Sequence, residues 1–256
     1  MKRYEEIVAS AARKVGLNIS RTNSALERLP VEATATDQAT VNFIRPFTMT
    51  SAERVWSLLE AVRYVTERGL EGDFAECGVW RGGSVMAMAR KLGELGQRDR
   101  TIWLYDTFSG MTAPTEKDIE ASSGASAAEL MQTTAVGDGN NVWAFATKED
   151  VVANLTLTGY PMERFHLVEG DVAQTLKYDI PEKLALLRLD TDWYESTKMG
   201  LEVLYPRLVP GGICILDDYG HWAGARAAVD ECFLAQGARP LMMPIDYSGR
   251  IFFKTA

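Results

Sequence analysis

Residues 73–95 read DFAECGVWRGGSVMAMARKLGEL, and this stretch decides the fold. Asp73–Val79 is a short, largely apolar run, the pattern of a strand covered on both faces. A glycine-rich turn with Gly78, Gly82 and Gly83 follows, and Ser84–Leu95 has helical spacing. Strand, glycine turn and helix form the opening unit of a doubly wound α/β sheet. In such sheets a ligand lies beyond the carboxyl ends of the strands, and glycines let the backbone approach it. The N–H groups opening the helix near Gly83 suit an anion such as a carboxylate. The three glycines do not spell G-x-G-x-x-G, which counts against a nicotinamide cofactor.

Downstream, four further apolar runs alternate with helical stretches. The runs are Thr101–Asp106, Arg164–Gly170, Leu184–Asp190 and Gly212–Asp217. The helices fall near Lys148–Thr158, Tyr194–Leu208 and Trp222–Gln236. This alternation predicts a parallel sheet with helices on both faces. Pro240–Asp246 and Gly249–Lys254 flank a Tyr-Ser turn and predict a closing antiparallel hairpin. Upstream, Tyr4, Ile7, Val8, Ala11 and Val15 mark a helix ended by Gly16, and residues 18–46 read as a loop. Thr50 and Glu53 form a T-x-x-E capping box for a second helix that stops at Gly69. The chain thus divides into a helical extension over residues 1–70, serving lid or oligomer contacts, and a core over 71–256. Ser109–Trp143, rich in Ser, Ala, Thr and Gly, is too long for an ordinary connection and is expected to cover the site, within an insert over 109–145.

The 256 residues carry 27 Lys and Arg against 35 Asp and Glu, a net charge of −8. This excludes a strongly basic nucleic-acid footprint. Three cysteines without paired spacing fit a reducing compartment. No run reaches the roughly 18 apolar residues of a membrane span. Acids stand near the N-terminus where a signal peptide needs apolar residues, so the expectation is a soluble, cytoplasmic protein.

The acids are not scattered. Glu76 ends the first strand and Asp106 the second, 28 residues beyond Gly78. An acid at that second position can accept both hydroxyls of a ribose. Together the pair suits a nucleoside with a charged amino-acid tail, which describes S-adenosyl-L-methionine (SAM). Strand LALLRLD ends in Asp190, followed by Asp192, and strand ICILDD ends in Asp217 and Asp218. On neighbouring parallel strands these carboxylates emerge at one sheet edge, where close carboxylates raise one another's pKa or recruit a cation. Oxygen ligands without His or Cys favour Mg²⁺ or Ca²⁺. Asp192, Asp217 and Asp218 are the expected ligands. Asp190 is set apart from these three, with capping of a helix as its competing role. His221 follows Asp218 by three residues and is a candidate for substrate contact or base.

These residues resemble the macrocin O-methyltransferase family, whose members methylate sugar hydroxyls of macrolide antibiotics. The resemblance rests on ECGVWRGG at 76–83, WLYDTFSGM at 103–111, LALLRLDTDWYES at 184–196 and YPRLVPGGICILDDY at 205–219. It runs in order from Thr48 to the C-terminus. The second block is shared more loosely with other class I methyltransferases. It implies a Rossmann-like class I methyltransferase with a seven-stranded, mostly parallel sheet that uses SAM and Mg²⁺. Glu76 and Gly78 would line the SAM site, Asp106 with Thr107 would meet the ribose, and Thr48 and Met49 would approach from the N-terminal side. Asp171 sits where such enzymes often bind adenine. Asp192, Asp217 and Asp218 would hold the metal, with Asp192 also acting as base. Residues 1–47 and 109–160 match poorly, so the macrolide acceptor is not carried over.

The expected activity is O-methylation of a sugar hydroxyl on a natural product or saccharide, in a homo-oligomer. In-line transfer draws on alignment of donor and acceptor, and a metal can acidify and orient the attacking hydroxyl. A catechol-like diol satisfies the same logic. The same fold also serves nicotinamide-dependent oxidoreductases, and a SAM-binding module without turnover would keep the donor site alone.

Overall fold

The apolar runs form the strands and the periodic stretches form the helices that cover them, in a computed structural model that describes residues 29–136, 142–237 and 239–255. The expected helix at Tyr4–Val15 lies outside the described residues, as do positions 137–141 of the insert. The strands are β1 (Asp73–Cys77), β2 (Ile102–Asp106), β3 (Phe165–Glu169), β4 (Leu184–Leu189), β5 (Leu208–Leu216), β6 (Met243–Pro244) and β7 (Arg250–Phe253). They make one seven-stranded sheet in the order β3-β2-β1-β4-β5-β7-β6. The first five are parallel, β7 runs antiparallel to β5, and β6 pairs antiparallel with β7.

The order reverses between β1 and β4, and at such a switch point connections leave to opposite faces and open a crevice. Beyond β1 lies the Gly78–Gly83 turn, and beyond β4 lie Asp190 and Asp192. One face of the sheet is covered by α1 (Ala35–Ile44), α2 (Ala52–Glu67) and α3 (Gly83–Glu94), through residues such as Ile44, Leu59, Val62, Val85 and Met88. The other face is covered by α7 (Tyr194–Val203) and α8 (Ala223–Ala235), whose Leu201, Val229 and Phe233 meet Leu187, Leu189 and Cys214. All six residues of β4 are buried, as a central parallel strand requires. Among the described residues are also three shorter α-helices, α4 (Ala127–Thr133), α5 (Lys148–Thr156) and α6 (Val172–Thr175).

Two local expectations are corrected. Residues 18–46 are not all loop, because α1 occupies Ala35–Ile44 with a reciprocal capping box between Thr34 and Asp37. Its buried side includes Asp37 and Thr40 beside Val41 and Ile44, so an apolar periodicity does not reveal it. The cap of α2 is Ser51, whose hydroxyl accepts from the Arg54 N–H, and not Thr50. Thr50 is drawn away by Arg188, whose guanidinium donates to its hydroxyl at 2.9 Å.

Candidate active site

A cavity of about 610 Å³ opens at the carboxyl ends of β1, β4 and β5. Its floor begins at Glu76, 1% exposed at the end of β1. One Glu76 oxygen accepts from Arg188 and the other, Oε2, has no hydrogen-bond partner. Burial pushes the Glu76 carboxyl up to about 8, the pull of Arg188 being opposed by repulsion from Asp190 and Asp217. Gly78 follows at φ +82, and a side chain there would run into the Asp190 carbonyl, so β1 and β4 approach this closely only over a glycine. Thr48 and Met49 line the same cavity, with Thr48 against the first turn of α3, where a Cβ at Gly83 would collide with it.

Asp106 closes two turns at once. Its Oδ2 accepts from the N–H groups of Val79 at 2.6 Å and Trp80 at 3.0 Å, and its Oδ1 accepts from Phe108 N–H at 2.8 Å. Trp80 and Phe108 both have left-handed backbones, so the carboxylate fixes two strained positions. Burial raises the Asp106 pKa against these hydrogen bonds. Thr107 donates to Gly110 O at 2.5 Å, and Asp171 caps α6 by accepting from Ala173 N–H at 2.9 Å. Both line the cavity.

The acids of β4 and β5 converge as the neighbouring strands require. Asp190, Asp217 and Asp218 offer carboxylate oxygens that all lie within 4.8 Å of one another. Asp192 stands beside them at φ +56, its N–H donating to Asp218 Oδ2 at 3.3 Å. Asp190, set apart from the ligands in the sequence reading, thus joins the group, while Asp192 lies past the end of β4 at Leu189, where its left-handed backbone has left the pleat. Asp190 caps nothing: the N-cap of α7 is Trp193. Burial and mutual repulsion push Asp190 up to about 6 and Asp192 up to about 7, and raise Asp218 well above the usual range. Two arginines oppose this repulsion. Arg188 reaches Asp190 at 2.7 Å and also pairs with Asp217, while Arg54 pairs with Asp217 and, at 2.9 Å, with Asp246. The sequence gives no local sign of either arginine's role, since the Thr50, Arg54 and Arg188 contacts join distant segments.

His221 lies against two partners. Its Nδ1 is 3.3 Å from Tyr247 Oη, and its Nε2 is 3.6 Å from Glu120 Oε1, while burial lowers its pKa. Glu120 belongs to the insert, which lines the cavity with Gly110, Met111, Thr112 and Leu130. Backbone bonds tie the insert to the loop after β5, from Ala121 N–H to His221 O at 2.8 Å and from Ala223 N–H to Ile119 O at 2.9 Å. The buried Asp118 accepts from Tyr194 N–H at 2.7 Å, and Trp193 donates to Thr112 O at 3.0 Å. The cover is thus fastened to the loops that carry the acids.

A parallel 3-2-1-4-5 sheet with an antiparallel strand beside β5, and its site at the β1/β4 switch point, defines a Rossmann-like class I methyltransferase fold. The solved structure of the O-methyltransferase NovP shares it, with a TM-score of 0.69 and 29% identity over 82% of this chain and 83% of that one. The chain belongs to the macrocin-O-methyltransferase (TylF) family, whose sequence profile matches residues 4–254. It is 36% identical over 185 residues to the 8-demethyl-8-(2,3-dimethoxy-alpha-L-rhamnosyl)-tetracenomycin-C 4'-O-methyltransferase of Streptomyces olivaceus, covering 72% of this chain and 64% of that relative, less than two thirds of its length. It is 31% identical over 216 residues to the mycinamicin III 3''-O-methyltransferase of Micromonospora griseorubida, covering 82% of this chain and 79% of the relative. Among the described residues no helix is long and apolar enough to cross a membrane.

Proposed function

We propose that the protein is a SAM- and Mg²⁺-dependent O-methyltransferase acting on a sugar hydroxyl of a small molecule. The observation that carries this reading is that Asp190, Asp217 and Asp218 converge in the same cavity as Glu76 and the Gly78–Gly83 turn. The tetracenomycin relative, whose name places its acceptor on a rhamnosyl-bearing tetracenomycin, supports a sugar as the acceptor.

The donor set fits a hard divalent cation. It is all carboxylate oxygen, and Glu76, Asp190, Asp192, Asp217 and Asp218 outnumber the two arginines that face them. Asp190, Asp217 and Asp218 would hold the ion, which supplies positive charge that acidifies and orients an acceptor hydroxyl. Glu76 Oε2, buried and unpartnered, accepts the ammonium of the donor's amino-acid tail. The helix start at Gly83 faces the donor's carboxylate, and Asp106 shapes the turn beneath the ribose. Asp192 takes the acceptor proton: it stands beside the trio with no salt-bridge partner among the described residues, and its left-handed backbone aims it from outside the pleat. The insert excludes water from the reacting groups.

Calorimetric titration with SAM tests the first half of this reading. The second half requires that EDTA abolish methylation of a panel of glycosides and that Mg²⁺ restore it. Turnover indifferent to EDTA overturns the metal assignment, and methylation of catechols in place of glycosides overturns the sugar.

A further inference from the structure

Arg188 is buried in β4, its side chain 2% exposed. Its Nη1 donates to Glu76 and to Asp190, and its Nη2 donates to Thr50 Oγ1 and to Asp217. One guanidinium therefore touches acids with two separate tasks in the proposed function, Glu76 on the donor side and Asp190 with Asp217 on the cation side. Thr50 adds the segment that carries Thr48 and Met49. Arg54 does not duplicate this role, since its ion pairs go to Asp217 and Asp246. A guanidinium presents its donors in a fixed planar fork, so acids sharing it are not held independently.

We propose that Arg188 is a positioning residue that couples occupancy of the methyl-donor site to occupancy of the divalent-cation site. The proposal rests on the function proposed above. Nη1 is shared between Glu76 and Asp190. A cation that draws on Asp190 and Asp217 lessens their demand on the guanidinium and leaves Nη1 to Glu76, whose free Oε2 then faces the donor from a firmly held carboxylate. A donor that binds this firmly held Glu76 through Oε2 keeps Nη1 on Oε1 and so leaves Asp190 to the cation. Each ligand favours the arrangement of Arg188 that the other requires, so the coupling is positive. Linkage demands the same factor in both directions.

Isothermal titration of the full chain with S-adenosylhomocysteine and with MgCl₂ tests this without turnover. The Kd for S-adenosylhomocysteine is expected to fall about fivefold or more in saturating Mg²⁺ relative to EDTA-treated protein, and the Mg²⁺ Kd to fall by the same factor with S-adenosylhomocysteine bound. In Arg188→Lys, which keeps the charge and loses the fork, the coupling is expected to drop below about twofold while each ligand still binds alone. A purely structural arginine would weaken both ligands and leave their coupling in place. Both ligands binding to wild type with coupling below twofold, or of opposite sign, overturns the proposal alone, as does coupling that survives Arg188→Lys. Failure of either ligand to bind wild type at all overturns the function it rests on as well. The wild-type cycle decides the matter if the variant does not fold.

Discussion

Two buried ion clusters differ in one respect: one joins α1, α2 and α3, and the other gathers at the carboxyl ends of β1, β4 and β5. Around Lys91 in α3, Asp37 accepts from the ammonium at 2.7 Å and from Arg63 at 3.1 Å, and Glu94 completes the set at 3.0 Å. Acid and base are nearly matched there. Burial alone would raise Asp37, yet Lys91 together with the Thr34 N–H and hydroxyl holds it down at about 2. Around Arg188 the acids exceed the bases, and Glu76, Asp190 and Asp192 are all pushed up. The Asp37 carboxyl is shifted down where acids and bases are matched, and the carboxyls around Arg188 are shifted up where they are not. A balanced buried cluster holds the fold together, whereas an unbalanced one leaves capacity for a ligand of the missing charge.

The strongest way to break this contrast is to remove one acid from each cluster. Asp218→Asn takes a carboxylate from the unbalanced side, and turnover measured with labelled SAM is expected to fall roughly 10²–10³-fold, the scale of a lost metal ligand. Its apo stability should hold or rise, because a repulsive buried charge is gone. Asp37→Asn acts in reverse. Urea unfolding is expected to show a loss of about 2–4 kcal/mol, since Lys91 keeps Glu94 but loses its buried partner. Its folded population should turn over normally. A stability loss in Asp218→Asn as large as in Asp37→Asn would erase the distinction.

The cation sharpens the same comparison through stability. Mg²⁺ at about a hundredfold excess over its Kd stabilises the native state by about 2.7 kcal/mol, a Tm rise of roughly 5–10 °C for a domain of this size. Thermal melts should show this rise in wild type and in Asp37→Asn, and little of it in Asp218→Asn. A rise that persists in Asp218→Asn would place the ion elsewhere.

The sequence makes one of these clusters far more visible than the other. Strands β4 and β5 are apolar runs that end abruptly in acids, and parallel pairing then brings those ends together, so Asp217, Asp218 and Asp192 can be placed from local pattern alone. Which of Asp190 and Asp192 comes closest to Asp217 and Asp218 is harder to read, because β4 ends at Leu189 and the positive φ of Asp192 lies beyond it. The Lys91 cluster is invisible. Lys91 and Glu94 look like an exposed helical pair, and Asp37 sits in a stretch whose buried side includes Thr40, so no continuous apolar stripe marks the helix. Arg188 shows the same limit: its contacts reach Thr50, 138 positions away, and Glu76, 112 away. The Thr50 contact also explains why the cap of α2 falls on Ser51.

The smallest expected effect concerns acid. Asp37 has a folded pKa of about 2 against an ordinary 3.8. Between these values the unfolded chain binds a proton that the folded chain does not, so lowering the pH favours unfolding. The contribution is fully present above about pH 4 and is lost as pH falls towards 2; its full size is at most about 2 kcal/mol. Urea midpoints measured at steps between pH 5 and 2.5 should therefore fall more steeply in wild type than in Asp37→Asn, which has no proton to bind there. The two curves should converge at the acid end, where the wild-type ion pair is itself being neutralised. Parallel curves would mean that Asp37 is not the depressed acid. The matched cluster would then owe its stability to shape and hydrogen bonding, and charge balance would no longer separate the two regions.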